Sequence, residues 1–278
     1  VRWYHFNSDD KCWQESPNLP VINRAFLYGD GFFDTMLLIQ GAPCFWDYHK
    51  ARIQTTLSYL SLELQTDLDQ MIRKLHRIIN FVQPGDGRLR LSFYRDGEGK
   101  YMPESNRAEC VAIIEPHETE VFPSSPLQKL GISELTLPSG EFGNHKTIGK
   151  HLQIKVALES QNESFDDLVL FNEQSHVVET ISSNIFLVKE GRVYTPPLRS
   201  GALAGVVRQV LIDNIAVECN EDLTSDDLYS ATEIFTTNSI MGIKSWYVRD
   251  ECEMTQAKRE LETVRALQLN SVRDFQGS

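Results

Sequence analysis

Apolar residues recur along this chain with two different periods, and the switches between them mark the elements. FFDTMLLIQG is a nearly continuous apolar run, and Gln40-Gly41 looks like a turn into a partner strand at PCFW. In DYHKARIQTTLSYL, which Asp47 can cap, His49, Ile53, Leu57 and Leu60 fall on one stripe. Met71, Leu75, Ile78, Ile79 and Val82 do the same in TDLDQMIRKLHRIINFV, so the spacing predicts two helices lying against a sheet. After the turn at PGDG, RLRLSFYR alternates Leu89, Leu91 and Phe93 with Arg88, Arg90 and Ser92, the period of a strand covered on one face. Arg95 emerges at its end, and CVAIIEP predicts a further strand.

The pattern then breaks. HETEVFPSSPLQ is polar, carries prolines and reads as a linker, which gives an N-terminal domain at 1–115, a linker at 116–127 and a C-terminal domain at 128–278. The second half opens with a strand at LGISELTL and a loop, PSGEFGNHK, leading into a helix that begins close to Lys146. A hairpin-like pair follows, DDLVLFN and HVVETISSNIFLV, joined by the polar EQS. GRVYTPP comes after a Glu190-Gly191 turn, then a helix at GVVRQVLIDNIA, a strand at TEIFTTN and a last helix over TQAKRELETVRALQLNSV.

Composition narrows the functions. At 278 residues and 41% hydrophobic content the chain can bury one large core or two modest ones, and a net charge of -12 works against a polyphosphate partner such as nucleic acid. The 5 cysteines have neither CxxC spacing nor a neighbouring histidine pair, so reduced thiols in a cytoplasmic protein are expected, with no metal. No apolar run reaches the roughly 20 residues that cross a bilayer, and VRWYHFNSDDKCW has no signal-like segment; no membrane partner is expected.

Candidate chemistry lies in three places. Lys146 stands where a Gly- and Asn-containing loop meets the expected helix, so its amine can project from a fixed backbone; Lys150 and Lys155 are rivals that the spacing disfavours. Glu179 is a carboxylate within an apolar strand, out of keeping there without a partner. If that strand alternates, Val177 and Glu179 point one way and Val178 the other, with Ser182, Ser183 and Asn184 following at a kink. SGALAGVVRQV reads as a loop entering a helix at Gly205, where the N–H groups of Val206 and Val207 could take a phosphate; Arg52, one turn after His49, could close that cup. GEFGNHKT is not a P-loop, because His145 stands where the second glycine is needed.

NRAFLYGDGFFDT, HKAR, FYRDGEG, HKTIGKHLQ, VVETISSNIFLV, VYTPPLRSGALAGVVRQV and EIFTTNSIMGI, in that order, resemble the fold-type IV pyridoxal 5'-phosphate (PLP) enzymes. That family holds branched-chain aminotransferases, D-amino acid aminotransferases and 4-amino-4-deoxychorismate lyases, and the resemblance covers nearly the whole chain after the first twenty residues or so. It implies an α/β (α+β) fold with a small N-terminal α/β domain, a larger C-terminal domain with a barrel-like sheet, PLP in the cleft between them, and a homodimer. By position it implies that Lys146 carries PLP as a Schiff base and that Glu179 partners the pyridine nitrogen. Arg52, Ser183, the amides of Val206 and Val207, and Ser239 would hold the phosphate, with Leu203 against the ring and Phe33 and Arg95 on the substrate side. ETISSN and TNSIMG differ from branched-chain aminotransferases; SSN is similar to D-amino acid aminotransferases, TNSIM and RDGEGKY to the lyases, and Gly149 replaces an asparagine common after the lysine. The expected reaction on an amino-acid-like substrate is the lyase step that yields 4-aminobenzoate and pyruvate for folate biosynthesis. A class IV aminotransferase is the alternative, and a non-catalytic relative a further one.

Overall fold

The computed structural model of the chain describes residues 1–16, 18–82, 85–117, 129–163, 165–246 and 255–277. The protein is mixed α/β and divides into two compact units, the first made of Val1–Glu118, Lys146–Gly149 and Gln268–Ser278, the second of Thr119–His145 and Lys150–Leu267. From residue 118 onward the expected linker lies outside the described residues, as does Pro84 of the PGDG turn.

In the first unit the elements are β1 (Arg2–Asn7), β2 (Cys12–Glu15), α1 (Arg24–Tyr28), β3 (Gly31–Ile39), β4 (Ala42–Pro43), α2 (Trp46–Tyr59), α3 (Leu68–Val82), β5 (Gly87–Arg95) and β6 (Ala108–Pro116). The strands form one sheet in the order β2-β1-β6-β5-β3-β4. Strict alternation in β5 buries Leu89, Leu91 and Phe93, and Phe93 stacks on Phe32 of β3 with ring centroids 4.9 Å apart. These residues share a core with Ile53 and Leu57 of α2 and Met71, Leu75 and Ile79 of α3, as the helical stripes predict. Asp47 is not the cap of α2: the N-cap is Phe45 at φ 54°, and Asp47 lies in the first turn, where a carboxylate still complements the helix dipole. Of PCFW only Pro43 is in a strand, the two-residue β4, because Cys44 and Phe45 turn the chain into α2, which Trp46 opens.

The second unit contains β7 (Leu130–Leu137), α4 (His151–Glu163), β8 (Asp167–Asn172), β9 (Val177–Thr180), β10 (Asn184–Lys189), β11 (Arg192–Tyr194), α5 (Val206–Asn214), β12 (Val217–Glu218), α6 (Ser225–Ser230), β13 (Glu233–Asn238) and β14 (Gly242–Trp246). Its strands make two sheets, β7-β8-β9 and β12-β11-β10-β13-β14. HVVETISSNIFLV is therefore two strands in different sheets, parted by the bend at 181–183. The last helix, α7 (Thr255–Gly277), runs on into residues of the first unit from Gln268.

Lys146 does not open a helix. Its carbonyl accepts from Phe33 N at 2.9 Å and Ile148 N donates to Gly31 O at 3.0 Å, so the segment pairs with β3 and α4 starts only at His151. Gly31 leaves no room for a side chain, since a Cβ there would meet Phe93 O of β5 at 2.3 Å and Ile148 Cδ1 at 2.9 Å. No helix among the described residues is long and apolar enough to cross a membrane.

Phe93 has no exposed surface, and its loss leaves a cavity under Phe32. Phe93→Ala is expected to cost about 3 to 5 kcal/mol in urea denaturation; a change below about 1 kcal/mol would show that this stack is not central to the core.

Candidate active site

The second unit builds a polar site around a carboxylate in a sheet. In β8 and β9, Leu170 pairs with Glu179 but Phe171 pairs with Val177, so Val178 is an extra residue and the strand is bulged. Opposed residues share a face, which sets Glu179 with Leu170 and Val177 with Phe171. Strict alternation would put Val177 and Glu179 on one face; the bulge separates them, and Val177 and Val178 enter different apolar clusters.

Glu179 is only 9% exposed, so its carboxylate depends on protein partners. Oε2 accepts from the backbone N–H of Leu203 at 2.9 Å, and Leu203 O in turn accepts from Asn184 Nδ2 at 2.8 Å. The loop then enters α5 through Gly205, the N-cap, which has no side chain to offer the first turn. A Cβ on Gly205 would fall 1.9 Å from Asn184 Oδ1, so this entry is compatible with Asn184 only as glycine. The N–H groups of Val206 and Val207 thus open a helix whose start attracts anions. Nearby in the same unit, Asn238 Nδ2 donates to Ser183 Oγ at 2.9 Å while Asn238 Oδ1 accepts from Ile240 N and Met241 N, which binds Ser183 to the turn that carries Ser239.

Three lysines compete for the role of reactive amine, and the structure separates them. Lys146 belongs to the first unit, where β3 holds the backbone at its own carbonyl and again two residues later. The expectation of an amine on a fixed backbone is therefore met by strand pairing in place of a helix start. Its Nζ lies 5.1 Å from the centroid of the Phe33 ring, and Arg90 stands over the same ring with Cζ at 3.8 Å. Phe33 thus presents an aromatic face to two cations. Lys150 belongs to the second unit; burial lowers its ammonium pKa below the ordinary lysine value, and the charge of Glu179 opposes that shift. Lys155 is exposed on α4.

Two arginines expected at the site are bound up within the first unit. Arg52 donates from Nε and Nη2 to the two oxygens of Asp34, each at 2.9 Å, and His49 Nδ1 lies 2.6 Å from Asp34 Oδ1. Arg95, expected on the substrate side, is buried: Nε donates to Asp30, Nη1 to Ser61 O and Asn106 Oδ1, and Nη2 to Leu60 O. Its fork ties β5 to the loop after α2 and to the segment before β6. Sequence reasoning named Asn184 only among the polar groups at the kink and passed over Asp34, Arg90 and Asn238 as site residues. Asp34 carries the same signal as Glu179, a carboxylate inside an apolar run; Arg90 stands on the polar face of an alternating strand, and the asparagines give no signal beyond their positions at strand ends.

The second unit thus holds a buried carboxylate beside an uncapped helix start, and the first unit holds an amine on a pinned backbone next to an aromatic ring. The amino-transferase class IV family model matches residues 31–245. An aminodeoxychorismate lyase of Vibrio harveyi is 27% identical over 241 residues, covering 81% of this chain and 85% of that protein. Among solved structures, 4-amino-4-deoxychorismate lyase from Pseudomonas aeruginosa superposes with a TM-score of 0.76 at 23% identity, covering 89% of this chain and 94% of that one. The PLP-bound form of a hypothetical aminotransferase from Mycobacterium tuberculosis gives 0.79 at 18% identity, covering 97% and 99%. At such identities these structures speak for the fold.

The Asp34 cluster has a measurable acid signature. Burial alone would raise its carboxyl, but Arg52 and His49 outweigh burial and hold it well below the usual aspartate value of 3.8. A depressed folded value means that the stabilisation is complete above the unfolded pKa and is lost as pH falls through the folded one. Asp34→Asn is expected to lose about 3 to 5 kcal/mol at pH 7, with the gap to wild type narrowing below about pH 4. Urea denaturation across pH tests this, and a gap constant down to pH 3 would rule it out.

Proposed function

We infer the activity from the premise that the family match supplies: the chain belongs to the amino-transferase class IV family. It is an enzyme of PLP chemistry, and the reaction we assign to it is the cleavage of 4-amino-4-deoxychorismate to 4-aminobenzoate and pyruvate. The observation that carries the cofactor assignment is the buried Glu179 carboxylate, bonded to the same loop that opens the uncapped start of α5. The lyase reading draws on the Vibrio harveyi relative, which is matched over 85% of its length.

The residues fit PLP. Lys146 is the amine we assign to it, on the match of HKTIGKHLQ to the family, on the pairing with β3 that fixes its backbone, and on the Phe33 ring beside its Nζ. Glu179 would keep the pyridine nitrogen protonated, with Leu203 beside the ring. The amides of Val206 and Val207 and the hydroxyls of Ser183 and Ser239 would hold the phosphate. Arg52 is their proposed cationic partner, its guanidinium fixed in direction by Asp34 through Nε and Nη2. When bound, the cofactor supplies an aldehyde for amines and a ring that accepts electrons from Cα. Lys146 Nζ would hold the cofactor and would serve as the base that takes the substrate's Cα proton and the acid that returns it. Phe33 with Arg90 is proposed to recognise the substrate, and Arg95 is left out of that set because four of its five N–H donors are engaged within the first unit. Exposed Phe26, Leu27 and Tyr28 of α1, with Tyr101 against Tyr28 at 6.0 Å between ring centroids, support a homodimer, since clustered apolar surface is seldom left in water.

Two measurements test the reading. Wild type mixed with PLP should show a visible band that Lys146→Ala abolishes and Lys150→Ala retains. The reverse pattern would move the anchor to Lys150, and a wild type that takes up no PLP would favour a non-catalytic relative. With 4-amino-4-deoxychorismate, 4-aminobenzoate and pyruvate should form without any oxo acid; amino-group transfer from D- or branched-chain amino acids to 2-oxoglutarate, without that cleavage, would make the protein an aminotransferase.

A further inference from the structure

We infer that Asp167 is a positioning residue for the cofactor site, holding in place the bend that joins Glu179 to Ser183. The inference rests on the PLP reading of Glu179 and Ser183. Asp167 opens β8 and is 8% exposed. Its Oδ1 accepts from the N–H of Leu168 at 2.9 Å and from the N–H of Ile181 at 3.1 Å. Ile181 is the first residue of the bend that follows β9, two positions after the carboxylate and two before the serine. The bend is closed on itself by Thr180 N donating to Ser183 O at 2.9 Å. Asp167 fastens this closed bend to the neighbouring strand.

The consequence reaches both ends of the site. On one side, Glu179 must keep its Oε2 at the Leu203 amide; on the other, Ser183 must keep its Oγ at Asn238. A bulged strand has lost ladder hydrogen bonds that would otherwise fix its direction, and the Ile181 N–H would be left without its acceptor if Asp167 were removed. Burial raises the Asp167 carboxyl, against the hydrogen bonds from Thr180, Leu168 and Ile181 and the charge of Lys244. The fold thus uses this residue as an oxygen acceptor, a role an asparagine can fill without a charge.

The test is a titration of purified apoprotein with PLP, followed by its visible band, with far-UV circular dichroism as the check on folding. Asp167→Asn should bind within about threefold of wild type, and Asp167→Ala about tenfold or more weakly with its fold intact. Asp167→Glu, which keeps the charge but displaces the oxygen by a methylene, should behave like the alanine variant and replaces it if that variant does not fold. A folded alanine or glutamate variant with wild-type affinity overturns the positioning role and leaves the PLP reading standing. Loss in Asp167→Asn equal to that in Asp167→Ala also overturns it, because charge would then be what matters. Wild type that binds no PLP overturns both.

Discussion

A carboxylate inside an apolar sheet must be given hydrogen bonds or charge partners, and most of what is distinctive in the second unit follows from meeting that demand for Glu179. The β-bulge turns the side chain away from the face that Val177 occupies, and the Leu203 amide receives it. That amide is available because the loop at 201–205 is held by Asn184, and the loop can pass so close to Asn184 because residue 205 is glycine. The same loop delivers the open start of α5. One constraint on one acid thus sets up an anion-attracting helix end in the same unit, and its charge is felt as far as Lys150, whose ammonium it supports against burial.

The first unit handles its buried charges differently. Arg24, Asp30 and Arg95 form one internal cluster, and Asp34, His49 and Arg52 another, each with its ions turned onto one another or onto backbone carbonyls. Such clusters cost desolvation and offset it through geometry, so their arginines are structural ties before they are anything else. Arg90 is the contrast, with its guanidinium over an aromatic ring on the sheet face opposite the core. A side chain so placed retains donors for a ligand in a way Arg95 does not.

The periods of the first half are legible because the stripes turn into one shared core: His49, Ile53 and Leu57 on α2 and Leu89, Leu91 and Phe93 on β5 are all buried. Legibility fails where tertiary hydrogen bonds override local pattern. Nothing local to HKTIGK says that its carbonyls and amides will be taken by β3, so a helix start at Lys146 is the natural local reading and the structure corrects it. The bulge at Val178 is likewise set by the partner strand, and it reverses the facing of every residue beyond it. Arginine roles are the least legible, since Arg52 and Arg95 depend on acids and carbonyls distant in sequence. Motif order carries the cofactor class, while burial alone would have drawn attention to Lys150; the two signals point to different lysines because one reports chemistry and the other only environment.

Lyase and aminotransferase chemistry ask the same things of an amine and a ring-facing acid: both begin by removing the Cα proton, and they part only in where electrons and protons go next. Lys146 and Glu179 therefore cannot be what distinguishes them. A lyase needs its substrate held so that the bond to the leaving fragment can break as the six-membered ring becomes aromatic, whereas a transaminase needs a proton delivered back to the cofactor. Discrimination must then lie in groups that grip the rest of the substrate. A deoxychorismate-like substrate is a ring with more than one carboxylate, and an aromatic face with a guanidinium over it meets both features: stacking for the ring, charge for the acids. Phe33 with Arg90 is the arrangement in the first unit with that character, and it stands beside the very amine assigned to the cofactor. On the proposed roles, recognition and proton transfer would both depend on one strand, β3, which carries Phe33 and also pins the backbone of Lys146.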